Sequence, residues 1–399
     1  MKLSDNIKYI LNTLYENNFE GYIVGGAVRD FLLNKEPKDL DVTTNATPDE
    51  IKKIFPKTYD TGIEHGTITV VVNKENIEVT TYRLDGEYIN NRKPKEVVFT
   101  SSLYEDLIRR DFTINAMAYN ENEGLIDNFQ GKEDLDKKLI RGVGDKEQRF
   151  VEDALRIYRG IRFSAQLGFS IELETLKAMK NQVYLTKNLS VERIRDEFLK
   201  SLKGNYPENL FFYTELSILK YYDTNFCTYF EKNLNSLILL LQKNILAKNL
   251  KDDFLLLSLC FLDYDISILE TFLKDFKVKN SDTKTVITIV KAYNSVKNLN
   301  FETIQEYDIR KLLSIFDTNI IYAFYIYSLT HPTYNIEEKL AKNENMPYTI
   351  KSLDINGNDL ISLGISGKEL GATLSLLLEK VLENPSLNKK DTLISLLKL

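Results

Sequence analysis

Gly25-Gly26-Ala27-Val28-Arg29-Asp30 is followed, nine residues after its last member, by Asp39-Leu40-Asp41. Two adjacent glycines let a backbone turn tightly and come close to a ligand. The helix-like run from Val28 to Leu33 begins just beyond them, and free N–H groups at a helix start favour an anion. Asp39-Leu40-Asp41-Val42 then reads as strand, where side chains two apart share a face. Asp39 and Asp41 are therefore placed to hold Mg²⁺ together, a cation that takes oxygen ligands and usually binds substrate phosphates as well. A phosphate cradle beside paired carboxylates is the equipment of nucleotidyl or phosphoryl transfer. A Gly-Gly pair or an Asp-x-Asp alone would be weak evidence. The two together, with Arg29 between them, are specific.

Three further groups of residues can do chemistry. Glu78 alternates with Ile77 and Val79, so it is either a third carboxylate near the metal or a solvent-facing residue. In Arg109-Arg110-Asp111, forked arginine donors suit a triphosphate and an aspartate can accept from a ribose hydroxyl. The alternative is a helix N-cap with a surface ion pair, which would contribute little. In the segment from Glu152 to Phe163, Asp153, Arg156, Arg159 and Arg162 step by three along a helical pattern whose apolar stripe is Val151, Leu155, Tyr158, Ile161 and Ala165. Arginines winding round one helix suit an anionic ligand, and a solvated face is the competing reading. The two histidines, His65 and His331, are far apart, and His65 beside Gly66 reads as structural.

These residues need a scaffold, and the pattern over the first 140 residues is alternating strands and helices. Tyr22 to Val24, Gly66 to Val72 and Ile77 to Tyr82 read as strands, the last two joined by a turn at Asn73 to Asn76. Gly86 to Pro94 reads as a mobile polar loop, and Leu103 to Asn120 as a helix. Beyond Arg141 the pattern is helical nearly throughout, with Pro207, Pro332, Pro347 and Pro385 as candidate boundaries. The 399 residues allow several domains. Lys and Arg number 52 against 58 Asp and Glu, a net charge of −6, which argues against a general nucleic-acid coat protein but leaves room for a local basic face. Trp is absent while Tyr and Phe are plentiful, a bias we attribute to codon usage. Cys227 and Cys260 stand alone, which argues against a disulfide scaffold or a zinc site. The charged start does not read as a signal peptide, and apolar runs such as Phe254 to Leu262 are too short to span a bilayer. A cytoplasmic protein without membrane partners is expected.

Taken together, these motifs closely resemble those of the class II tRNA nucleotidyltransferases, the CCA-adding enzymes, a family that also includes bacterial poly(A) polymerases. Gly25 to Asp30 with Asp39-Leu40-Asp41 is similar to the family's catalytic signature. Arg109-Arg110-Asp111 resembles its ribose-selecting motif, and Glu152-Asp153-Ala154-Leu155-Arg156 its nucleotide-reading motif. Ser190 to Glu197 looks like the helical motif that braces the neck. Ile355 to Leu360, with Gly364, Gly371 and Asn384-Pro385, resembles the tRNA-holding tail. The resemblance implies an α+β fold: a polymerase-β-like head of mixed sheet and helices over residues 1–140, then an all-helical neck (141–205), body (206–330) and tail (331–399). It implies Asp39 and Asp41 as catalytic Mg²⁺ ligands. It also implies Gly26, Arg29, Arg110, Asp111, Asp153, Arg156, Arg159 and Arg162 as nucleotide-binding positions. The body carries no matching motif, and with two histidines the chain cannot hold the His-Asp phosphohydrolase domain some members append.

The implied reaction is template-independent addition of C, C and A to tRNA 3′ ends from CTP and ATP, with release of pyrophosphate. An Asp153 carboxylate can accept from the amino group of C or A while Arg156 donates to the neighbouring ring nitrogen or carbonyl. U and G would set a carbonyl against the carboxylate. Alternatives within the class are A-only, CC-only or poly(A) addition. The polar stretch from Asp85 to Arg92 argues against CC-only members, which lack it, and leaves A-only addition open. A catalytically inactive RNA-binding protein on the same scaffold is the reading from another class, and the intact carboxylates argue against it.

Overall fold

The computed structural model describes residues 3–37, 40–85, 88–89, 93–94, 97–299, 301, 303–331, 336–343 and 345–397. It divides into two compact units, residues 1–234 and 235–399. The first unit opens with helix α1 (Asp5–Glu16), capped by the Ser4 hydroxyl accepting from Ile7 N–H, with Ile7, Ile10, Leu11 and Leu14 buried at helical spacing. A seven-stranded mixed sheet follows. Its strands are β1 (Gly21–Val24), β2 (Val42–Thr44), β3 (Thr58–Gly62), β4 (Thr67–Val72) and β5 (Glu75–Thr81), and later in the chain two more whose ranges follow below. Helix α2 (Gly26–Leu32) leaves β1, and α3 (Pro48–Ile54) starts with Pro48 behind Thr47, whose N–H donates to Glu50.

Two strands of the pattern are confirmed with one adjustment. β4 pairs with β5 from Thr67↔Thr80 to Val72↔Glu75, so the turn is shorter than Asn73 to Asn76. Asn73 and Lys74 both take positive φ, 49° and 70°, which fits the two-residue turn whose twist matches the strands. Within the loop expected over Gly86 to Pro94 the described residues form a short ladder, and a second ladder flanks it. β6 (Arg83–Asp85) pairs with β9 (Val97–Phe99), and β7 (Tyr88–Ile89) with β8 (Lys93–Pro94). Gly86, Glu87 and Asn90 to Arg92, part of the stretch expected to be a mobile loop, lie outside the described residues.

The expected helix from Leu103 to Asn120 breaks into three pieces: α4 (Leu103–Ile108), a 3₁₀ turn (Thr113–Asn115) and β10 (Ala118–Asn120). Its apolar second half pairs with β1 through Ile23↔Tyr119 and Val24↔Ala118, and β11 (Gly124–Ile126) forms the sheet edge beyond it. The strand order is β11-β10-β1-β2-β5-β4-β3, with β2 and β5 parallel in register Val42↔Val79. Tyr22, Val24, Tyr82, Leu107 and Ala118 form a core cluster between the centre of this sheet and α4.

After helix α5 (Gly131–Asp136) the unit becomes helical apart from one short parallel pair, β12 (Leu139–Ile140) with β13 (Ser170–Ile171), which the sequence pattern did not suggest. Helices α6 (Lys146–Glu152), α7 (Leu155–Leu167), α8 (Leu173–Gln182) and α9 (Val191–Leu202) follow, with α7 packed on α9. The expected stripe through Val151 is cut by the break between α6 and α7, and Val151 is exposed. Gly160 lies where α7 approaches Phe112 and Met179; a Cβ there would stand 2.4 Å from Met179 Cε.

The second unit is helical in all its described elements, with one core around Phe301, Phe324 and Tyr327 and another around Leu360, Leu377 and Val381. The tail motif at Asn356 is a helix start, its side chain accepting from Asn358 and Asp359 N–H while Asp359 accepts from Asn356 N–H. Among the described residues no helix is long and apolar enough to cross a membrane.

Candidate active site

β1 ends at Val24, whose N–H donates to the Asp41 carbonyl at 3.2 Å. This sets Asp41, just before β2, beside the turn into α2. Gly25 makes that turn at φ 67°, ψ −127°, a conformation side chains resist, and a Cβ there would stand 3.1 Å from Arg110 Nη1. Arg29, one turn into α2, donates to Asn115 Oδ1 at 2.7 Å and to Asp30 at 2.9 Å. Asp41 is exposed. Its expected partner Asp39 lies outside the described residues.

Arg109-Arg110-Asp111 follows α4 rather than opening a helix. Asp106, wholly buried in α4, takes Arg109 at 2.6 Å and Arg110 at 3.0 Å, so the pair is no loose surface bridge. Burial would raise the Asp106 carboxyl, and the charges of Arg110 and Arg109 hold it below the usual range. Asp111 accepts from Phe112 N–H at 2.8 Å and from Arg159 Nε at 2.6 Å. Burial again works against its charge, but Arg159, the Phe112 N–H and Arg156 bring its carboxyl down to about 2.

The arginine series belongs to two elements, not one helix. Asp153 is extended, at φ −136° and ψ 99°, between α6 and α7, and its Oδ1 accepts from Leu155 N–H at 3.1 Å. An aspartate here stops one helix and caps the next, which an unbroken three-residue step does not reveal. Arg156 is 7% exposed and donates to Glu152 Oε2 (2.9 Å) and to the carbonyls of Arg149 and Arg109 (2.8 Å each). Arg162 is 9% exposed and donates to Glu197 at 3.2 Å; burial lowers its guanidinium to about 10, still protonated at neutral pH. The solvated-face reading therefore fails for both.

These groups line one cavity of about 670 Å³: Gly25, Gly26, Arg29, Asp41, Arg110, Asp111, Asp153, Arg156, Arg159 and Arg162 all reach it. Eight arginines and three aspartates line it in all. A concave surface so charged concentrates a polyanion. The structure gives site roles to residues to which the motif reading assigned none. Phe163 lies under the guanidiniums of Arg29, Arg159 and Arg162, the last at 4.2 Å from the ring centre. Asn115 orients Arg29. Arg193 of α9 meets Asp153 Oδ2 at 2.8 Å. Its spacing to Glu197, four residues on, was the available signal that both face α7.

Asp41 also borders a second cavity of about 580 Å³, which Glu78, Thr61 and Thr69 line. Glu78 is exposed on β5. Among the described residues no group of three or more His, Cys, Asp or Glu forms a metal cluster. His65 is exposed and its carbonyl accepts from Arg83, while His331 stacks on Tyr327 at 4.1 Å between ring centres. Both cysteines are buried free thiols.

The mixed sheet with its Gly-Gly turn and arginine-lined cavity defines a nucleotidyltransferase. Residues 21–141 match the family model for a poly A polymerase head domain, 168–212 that for a probable RNA and SrmB-binding site of polymerase A, and 250–397 that for a putative tRNA nucleotidyltransferase domain 2. The CCA-adding enzyme of Staphylococcus haemolyticus is 37% identical over 100% of this chain and 98% of its own length. That of Lactobacillus helveticus is 37% identical over 96% and 94%. The crystal structure of the Bacillus stearothermophilus CCA-adding enzyme in complex with CTP superposes with a TM-score of 0.83 at 27% identity, covering 99% of this chain and 98% of that one. The chain belongs to the family of the CCA-adding enzymes, the tRNA nucleotidyltransferases.

Proposed function

We propose that this enzyme adds C, C and A in turn to the 3′ end of tRNA, taking CTP and ATP and releasing pyrophosphate. The observation that carries the reading is the shared cavity. The Gly25–Gly26 turn, the arginines of three motifs and the Asp153 carboxylate meet there, so one site can hold the phosphates, ribose and base of a nucleotide. Full-length similarity to CCA-adding enzymes supports complete CCA addition over A-only, CC-only or poly(A) activity.

In this reading Arg29, Arg110, Arg159 and Arg162 bind the triphosphate, and Gly26 lets it approach the backbone. Asp111 accepts from a ribose hydroxyl. Asp153 accepts from the amino group of C or A, and Arg156, fixed by Glu152 and two carbonyls, donates to the adjacent ring nitrogen or carbonyl. A uracil or guanine carbonyl in that place would leave the carboxylate opposed by an acceptor, which is costly in a shielded site. The 3′-oxygen of tRNA bonds to the α-phosphorus as the bond to pyrophosphate breaks.

Asp41 offers a hard oxygen donor with neither thiol nor imidazole among the residues lining its two cavities, which suits Mg²⁺. Asp39 and Asp41 would hold that ion, and Glu78 is a candidate third carboxylate. Bound there, Mg²⁺ supplies charge neutralisation at the phosphates and acidifies the attacking hydroxyl. Residues 1–140 serve as head, 141–205 as neck, 206–330 as body and 331–399 as the tail that holds tRNA, in the cytoplasm. The test is extension of tRNAs ending at the discriminator base, at C and at CC, with CTP and ATP supplied separately and together. Full-length CCA product only with both nucleotides is the expected result. A run of A, or growth stopping at CC, would overturn it.

A further inference from the structure

Each oxygen of the Asp153 carboxylate has its own donor. Oδ1 accepts from Leu155 N–H at 3.1 Å, which ties it to the start of α7. Oδ2 accepts from Arg193 Nη2 at 2.8 Å, which ties it to α9, forty residues on. We infer that Arg193 is a positioning residue for base choice: it aims the Asp153 carboxylate that meets the amino group of C or A. This rests on the base-reading role of Asp153 proposed above.

Three observations carry it. First, the cavity holds eight arginines and three aspartates, so a carboxylate with one oxygen untethered has several competing guanidiniums. A fixed partner decides which way it faces. Second, Arg193 is itself held in place. Ile194 and Phe198 bury α9, and Glu197, one turn past Arg193, binds Arg162 at 3.2 Å. Helix α9 thus presents a cation to Asp153 and an anion to Arg162, which locks its register against both ends of the reading segment. Third, Arg193 lines the cavity and its Nη1 is buried without a hydrogen-bond partner. An arginine serving only to brace two helices would be expected to use that donor.

The experiment uses the full-length enzyme and tRNA ending in C or CC, and measures kcat/KM for CTP and ATP against UTP and GTP. Arg193→Ala is expected to narrow the preference for CTP over UTP by roughly tenfold, the loss of one positioned charge-assisted hydrogen bond. Arg193→Lys should restore part of it. The double variant Asp153→Ala, Arg193→Ala should be no less selective than Asp153→Ala alone, because the arginine acts through the carboxylate. A preference that narrows less than about threefold in Arg193→Ala, even with a uniform fall in rate, reduces Arg193 to a structural brace and overturns the inference. Should Arg193→Ala fail to fold, Arg193→Gln takes its place under the same criterion. If Asp153→Ala itself keeps the wild-type preference, base reading by Asp153 fails, and the inference falls with it. If Asp153→Ala loses the preference while Arg193→Ala keeps it, only the inference falls.

Discussion

Both compact units bury arginines, and they use them differently. In the second unit Arg310 is 5% exposed and donates to the Leu382 carbonyl at 2.8 Å, the Glu383 carbonyl at 3.4 Å and Asn343 Oδ1 at 2.8 Å. Leu382 and Glu383 end the helix Lys368–Glu383, whose last carbonyls have no partner within the helix. This arginine caps the end of a helix and is not among the residues lining the arginine-rich cavity. In the first unit Arg159 and Arg162 both lie against the Phe163 ring and line one cavity, and Arg159 holds the charge of Asp111, a carboxylate that burial would otherwise discharge. Arg156 stands between the two kinds. It is bonded like Arg310, through two carbonyls, yet it borders the cavity. Buried charge alone therefore does not mark a functional site. Crowding of arginines around an open volume does, because there they outnumber the carboxylates that line it and leave positive potential for a ligand of opposite sign.

The largest effect should come where chemistry and fold separate most cleanly. Asp41 is exposed, so Asp41→Ala should leave the unfolding free energy within about 0.5 kcal/mol of wild type. Nucleotide addition should fall by about a thousandfold or more, since the ion it helps hold supplies several kcal/mol of transition-state stabilisation. Asp39→Ala should lose nucleotide addition to a similar degree. Single-turnover extension of tRNA alongside urea denaturation measures both, and turnover near wild type would take the metal away from this pair. Arg310→Ala is the mirror image. Three acceptors lose their donor, at a cost of about 3 kcal/mol in stability. Among molecules that remain folded, the preference for CTP and ATP should be unchanged. A changed preference would break the contrast between the two kinds of arginine.

What the sequence made legible was local. The turn at Gly25 and the helix after it rest on signals within about ten residues, and both stand in the structure, the helix starting two residues early at Gly26; the strand read from Asp39 begins only at Val42 among the described residues, with Asp41 held instead by the Val24 N–H on its carbonyl. What it hid depended on distant partners. The apolar run after Ile114 suits a helix or a strand, and pairing of Ala118 with Val24, far back in the chain, decides for the strand. The break at Asp153 is invisible in an amphipathic stripe that continues through it. It is fixed by a cap to Leu155 and an ion pair to Arg193. Likewise, Arg110 is aimed by Asp106, a residue no motif singles out.

Acid should sharpen the comparison next. The Asp111 carboxyl is held at about 2 in the folded chain, below the value near 4 of an unfolded aspartate, with burial opposing and Arg159 prevailing. A lowered folded value means that its contribution is fully present above about pH 4 and is lost as the pH falls towards 2. That contribution is about 2 kcal/mol. Asp111→Asn should therefore be less stable than wild type at pH 6, and the gap should close between pH 4 and pH 2. The urea midpoints of both proteins across that range measure it. A gap that stays constant with pH would mean the loss is one of shape rather than charge.

The smallest expected effect is at Glu78. It lies on β5 in register with β2, where Val42 faces Val79, so Asp41 and Glu78 precede a matched pair on parallel strands. Both line the cavity of about 580 Å³. Glu78 is exposed, and an exposed carboxylate near a cation contributes at most about 1 kcal/mol. Glu78→Gln should therefore raise the Mg²⁺ concentration for half-maximal extension by about threefold to fivefold, and leave the rate at saturating Mg²⁺ nearly unchanged. The shift should shrink as added KCl screens the charge. A loss of about a hundredfold or more at saturating Mg²⁺ would make Glu78 a direct ligand with the weight of Asp41. No shift at low salt would leave it a solvent-facing residue of β5, and the carboxylate set would close at the two aspartates.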